Sequence, residues 1–161
     1  MGAIDPVLAE LSACLCAELG ETVPCFCGVI VGNDIPLEYA GECEEECGAA
    51  YVRLVNAFPS INFPQQDTAS GCTSLMAYTI SVGVVRCAPV GDDRGNPPTP
   101  EEVQKLTDQL LSDMHAIRRA VRCCLADKFE DVEYLLGQYV PLPSQGGVAG
   151  GEMTLTIQEP Y

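Results

Sequence analysis

The chain has 161 residues, 47% of them hydrophobic, and its 23 acidic against 8 basic side chains leave a formal net charge of -15. A chain of this length buries about 70% of its unfolded surface in one domain without metals or cross-links, and its negative field repels phosphates, which argues against a nucleic-acid-binding role. It has no run of about 18 apolar residues and no basic n-region, so neither a membrane span nor a secretory signal is expected, and the ten cysteines are expected to stay reduced in a cytoplasm.

The first predicted element is a helix. Asp5-Pro6 opens it, Val7, Leu8, Leu11, Cys14 or Leu15, and Leu19 form its apolar stripe, and Gly20 suits its exit. Val23 to Val31 reads as a strand, followed by an acidic loop with Glu42, Glu44, Glu45 and Glu46. A second strand runs from Ala49 to Phe58 and ends at Pro59. Ser74 to Ala88 then alternates large apolar residues (Met76, Tyr78, Ile80, Val82, Val84) with small or polar ones. Fifteen residues of strand would stretch roughly 50 Å, against a diameter of roughly 40 Å for a compact domain of this length. Such a strand either bends, with Gly83 the candidate point, or reaches past its own domain.

Gly91 to Pro98 is a turn-rich linker that carries Asp92 and Asp93. Thr99, Pro100 and Glu102 then spell a capping box. The helix behind it, Thr99 to Cys124, shows one apolar stripe at spacings of three and four: Val103, Leu106, Leu110, Met114, Ile117, Val121 and Cys124. Arg118, Arg119 and Arg122 complement the negative end of its dipole. Phe129 to Leu136 is expected as a short helix, the Gly-rich stretch after it as a loop, and Glu152 to Gln158 as the last strand. The chain has no internal repeat and reads as one domain over 1–161. Its fold class is α+β: a mostly antiparallel sheet with a long central strand, covered on one face by the N-terminal helix and the long second helix.

Residues with chemical potential are few. Cys25, Cys27, Cys43 and Cys47 form two short pairs, which admits a structural zinc site, a disulfide between the pairs, or unpaired thiols. Cys124 falls on the apolar stripe and reads as a small core residue. The single histidine, His115, sits at the edge of that stripe, with no second histidine to serve a thiolate or a metal. Asp92-Asp93 and Glu101-Glu102 lie in turn and cap contexts that face solvent. Gly146 to Gly151 precedes a strand and has no lysine, so it does not make a phosphate cradle. No enzyme, resident metal or cofactor is expected. The long strand is more telling, because an apolar-faced strand with open edges aggregates unless something covers it. Copies of the chain arranged in a closed ring could cover it, with Met76, Tyr78, Ile80, Val82 and Val84 as subunit-interface candidates.

The order of Leu8 to Leu19, Ala49 to Pro59, Leu75 to Pro89, Thr99 to Cys124 and Gly150 to Gln158 resembles the tail terminator proteins of long-tailed (siphovirus-type) bacteriophages. The stretches G-C-T-S-L-M-A-Y-T-I-S-V-G-V-V-R-C-A-P and Q-G-G-V-A-G-G-E-M-T-L-T-I-Q look like neck and tail-completion proteins of phages that infect actinobacteria. The resemblance implies a virion protein assembled in the bacterial cytoplasm, a hexameric ring that caps the tail tube, stops its growth and offers the surface to which the head docks. Its partners would be further copies of itself, the major tail tube protein and the stopper protein of the neck. DNA would pass only as cargo through an acidic lumen, for which Glu42, Glu44, Glu45, Glu46, Asp92 and Asp93 are candidates. The alternatives are a head-completion stopper or adaptor of the neck and a cysteine-rich metal-binding module.

Overall fold

A computed structural model of the chain describes residues 4–35, 48–68, 72, 75–145 and 147–159. Among them are two helices, α1 (Asp5–Leu19) and α2 (Pro100–Lys128), and five strands, β1 (Phe26–Val31), β2 (Gly48–Pro59), β3 (Met76–Cys87), β4 (Tyr134–Gln145) and β5 (Val148–Gln158). The strands form one sheet in the order β1-β2-β3-β5-β4, in which only β1 and β2 are parallel. Both helices pack on the same face. The α+β plan read from the sequence is the plan of the molecule.

Strand alternation decides what each face holds. Ala50 and Val52 of β2, Ile80, Val82 and Val84 of β3, and Leu155 and Ile157 of β5 point to the helices. They meet Val7, Leu8, Leu11 and Leu15 of α1 and Ala116, Ile117, Ala120, Val121 and Leu125 of α2 in the main core. Ala49, Tyr51 and Val85 take the other face, where Phe26, Ile30, Ile35, Leu142 and Val148 pack around them.

The long strand is shorter and better served than its sequence implied. β3 has 12 residues, about 40 Å at 3.3 Å per residue, so it crosses the domain once. Its neighbours are as long, with 12 residues in β2 and 11 in β5. Both of its edges pair inside the chain, with β2 from Gly48↔Arg86 to Pro59↔Met76 and with β5 from Ala77↔Gln158 to Cys87↔Val148. That overturns its role as an edge completed by sister copies. Ile80, Val82 and Val84 are at most 1% exposed and offer no surface to a second subunit; Met76 and Tyr78 are half-buried.

Gly83 pairs with Tyr51 in register, and the irregularity of this ladder falls in β2 between Leu54 and Asn56. What Gly83 supplies is room. A Cβ there would stand 2.5 Å from the Tyr51 hydroxyl and 2.9 Å from the Glu152 Cβ, closer than real side chains approach.

Several boundaries differ from the sequence reading; β1 starts at Phe26 and α2 runs on to Lys128. The short helix expected at Phe129 to Leu136 does not form: residues 129–133 are turn and irregular chain, and Tyr134 opens β4, an edge strand that tolerates Pro141 and Pro143 because an edge residue need not donate to a ladder. The Gly-rich loop is partly strand, since Gly150 and Gly151 pair with Val85 and Val84. The helix α1 starts beyond Ile4 with no side-chain cap, so Asp5 lies in its first turn instead of capping it.

Candidate assembly interface

The α2 helix is anchored over only part of its length. Thr99 and Glu102 form the capping box, with Thr99 N–H donating to Glu102 Oε2 at 2.8 Å and Glu102 N–H to Thr99 Oγ1 at 3.2 Å. Buried residues begin only at Asp113. There Arg86, near the end of β3, donates from Nε to Asp113 Oδ2 at 2.7 Å and from Nη2 to Asp113 Oδ1 at 2.8 Å. Arg86 Nη2 also donates to the Thr22 carbonyl at 2.7 Å, and Gln109 Nε2 to Asp113 Oδ1 at 3.1 Å. This brace fixes where the helix meets the sheet.

On the N-terminal side of the brace, Pro100 to Ser112 has no buried residue, over about 20 Å of helix at about 1.5 Å per residue. Its apolar stripe is therefore only partly covered: Val103 is 48% exposed, and Leu106 and Leu110 are half-buried.

The outward face of α2 changes charge along its length. Glu101, Lys105 and Asp108 lie on the first half. On the second half, His115, Arg118, Arg119, Arg122, Cys123, Ala126, Asp127 and Tyr134 line an open cleft of about 580 Å³. Arg119 Nε donates to Glu18 Oε2 at 2.8 Å, and Lys128 Nζ lies 2.7 Å from Glu10 Oε1.

A second polar cluster lies on the sheet's other face. Arg53 Nη2 donates to both carboxylate oxygens of Glu152 at 3.0 Å, while its Nη1 donates to the carbonyls of Gly32 and Asn33 at 3.2 and 2.9 Å. The Tyr51 hydroxyl donates to Glu152 Oε2 at 3.0 Å. Burial, and after it the Glu152 charge, push the Tyr51 phenol well above its ordinary value, so it stays a donor and ties β2 to β5. Burial likewise raises Tyr139, followed by the Asp113 charge, and raises Tyr78, followed by Glu159.

The cysteines depart from the reduced state expected of them. Cys14 is bonded to Cys124 and Cys16 to Cys27; Cys25 and Cys87 are also disulfide-bonded; Cys72 and Cys123 are free and exposed. Cys124 is buried as expected, but as half of a bridge between α1 and α2. The zinc reading fails at Cys25 and Cys27, whose sulfurs are spent in bridges and leave no thiolate for a metal. Glu10 gathers with Cys14 and Cys124 within 4.8 Å, but those sulfurs too are joined to each other.

Cys43, Cys47, Glu42, Glu44, Glu45 and Glu46 lie outside the described residues. Asp92 and Asp93 are exposed; Asp92 accepts from the backbone N–H of Arg94 and Asn96 and from Asn96 Nδ2, all within 2.9 Å, and the bond from the Asn96 side chain is the main cause holding its carboxyl below the usual range. Sequence reasoning missed Arg53, Arg86, Asp113 and Glu152. The available signal was a basic residue in each of two otherwise apolar strands and one acid on a helix's apolar side. No known protein-family model matches this chain, and no curated protein matches it.

Proposed function

We propose that the chain is a structural protein of a bacteriophage head-tail junction that forms a ring capping the tail tube, ends tube growth and presents the head-docking surface. The observation that carries this reading is the incompletely covered stripe of exposed Val103 and half-buried Leu106 and Leu110, on a helix whose buried residues begin only at Asp113. Apolar helix faces are stable when buried, and in a ring the adjacent subunit supplies the cover. The ring contact moves accordingly from β3, where the sequence placed it, to α2. The order α1, β2, β3, α2, β5 follows the segments that carry the resemblance, with β1 and β4 in addition, and the -15 charge suits a lumen through which DNA slides without sticking. A neck stopper built as a small β-barrel, or a mostly helical adaptor, fits less well with an open five-stranded sheet under two helices.

Electron microscopy of particles assembled without this protein tests the proposal. Over-long tails or tails without heads are expected, and the variant Val103→Asp/Leu106→Asp, folded by circular dichroism, should reproduce them. Complete tails of normal length in either case would reject the role.

A further inference from the structure

The α2 helix carries a second stripe, on a different side from the apolar one. Glu101, Gln104, Asp108, Leu111, His115, Arg118 and Arg122 follow each other at intervals of three and four, and all are exposed. The spacing averages 3.5 residues, as along a coiled-coil seam, with Leu111 the one apolar position between polar and charged ones. Its charges invert about Leu111, which is 50% exposed. Asp108 and Glu101 stand three and ten residues before it, with Gln104 between them, and His115, Arg118 and Arg122 stand four, seven and eleven residues after it.

We propose that a second copy of this chain docks on this seam, with the two α2 helices antiparallel and crossing at Leu111. In that register Leu111 meets the partner's Leu111, Asp108 meets the partner's His115, Gln104 meets the partner's Arg118, and Glu101 meets the partner's Arg122. The symmetry is a two-fold axis, so every contact is made twice. Among the described residues neither Arg118 nor Arg122 forms an ion pair. Four residues apart on one helix, they repel each other in the lone protomer. The antiparallel arrangement gives Arg122 a carboxylate and Arg118 an amide acceptor, and it also opposes the two helix dipoles.

Charge complementarity selects a copy of the chain as the occupant, because Glu101 and Asp108 lie on one side of Leu111 and His115, Arg118 and Arg122 on the other, at spacings that agree to within one residue. The contact is narrow, about 30 Å of paired helix at about 1.5 Å per residue, so it is a reversible, salt-sensitive association and not an obligate one. It leaves the stripe of Val103, Leu106 and Leu110 free, and it does not depend on the ring proposed above: the one is read in purified protein, the other in assembled particles.

The test is sedimentation equilibrium on the full chain with exchanged charges. The wild-type chain should form a dimer whose affinity falls about tenfold or more between about 0.05 and about 0.5 M salt. Glu101→Arg/Asp108→Arg and Arg118→Glu/Arg122→Glu should each be monomeric, a mixture of the two should form the mixed dimer, and the fourfold exchange should dimerise again. All seven seam positions are exposed, so unchanged circular dichroism verifies the fold of each variant. A wild-type chain that stays monomeric in low salt, or a dimer indifferent to these exchanges, overturns the proposal.

Discussion

Removing the carboxylate that braces α2 against β3 should be among the most damaging single changes in the molecule. Asp113 is 2% exposed and accepts from two nitrogens of Arg86, whose side chain is 13% exposed. Taking one partner from a buried ion pair costs about 3–5 kcal/mol, since the remaining charge stays desolvated. Arg86 keeps its bond to the Thr22 carbonyl and some contact with water, which places Asp113→Ala near the lower end, about 3 kcal/mol. For a chain of this size that lowers Tm by about 6–12 °C, against a total stability of about 5–15 kcal/mol. Urea unfolding followed by far-UV circular dichroism should show the midpoint fall with an unchanged slope. The replacement Arg86→Met/Asp113→Leu, which removes both charges, should recover to within about 1 kcal/mol of wild type. In the double-mutant cycle completed by the single variants Arg86→Met and Asp113→Leu, the coupling should exceed about 2 kcal/mol. A cost below about 1 kcal/mol for Asp113→Ala, or a double variant as unstable as the sum of the singles, would refute the brace.

Two further outcomes follow from the cores on either side of the sheet. Tyr51, its pKa raised from 10.0 in the folded state, contributes stability that is complete below about pH 10 and is lost as pH rises above it, at about 1.4 kcal/mol per pH unit. Tyr51→Phe should therefore be about 1 kcal/mol less stable at pH 7, through the lost bond to Glu152, with the gap closing near pH 11; a gap constant through pH 11 in urea titrations contradicts the assignment. The Cys14–Cys124 bridge spans a separation of 110 residues and the Cys16–Cys27 bridge one of 11, so loop-closure entropy assigns them about 5 and about 3 kcal/mol. Guanidinium unfolding of the two paired Cys→Ser variants should rank them in that order, and the reverse order would be evidence against the α1-α2 tie as the larger constraint.

Local patterns carried most of the architecture. The capping box at Thr99 and Glu102, the exit glycine at Gly20 and the alternation of Met76 to Val84 are short-range signals, and each marks an element of the structure. The β4 strand was misread because Phe129 to Leu136 has no decisive period, and the pairing with β5 that makes it a strand is a tertiary fact. Alternation located the long strand but could not say who sits beside it, so a central strand passed for an open edge. The change of charge from Glu101 to Arg122 was present in the sequence throughout, but that all seven side chains of that stripe are exposed is a tertiary fact.

Composition, periodicity and capping residues by themselves determined the α+β class, the two helices and the apolar face of each main strand, because those properties depend on neighbours within a turn or two of the chain. Which strands flank β3, which cysteines meet, and that Arg86 finds Asp113 while Arg53 finds Glu152 were decided only by the tertiary structure. These are contacts between segments far apart in the sequence, and they arise when two surfaces are packed together, not from any pattern within one of them.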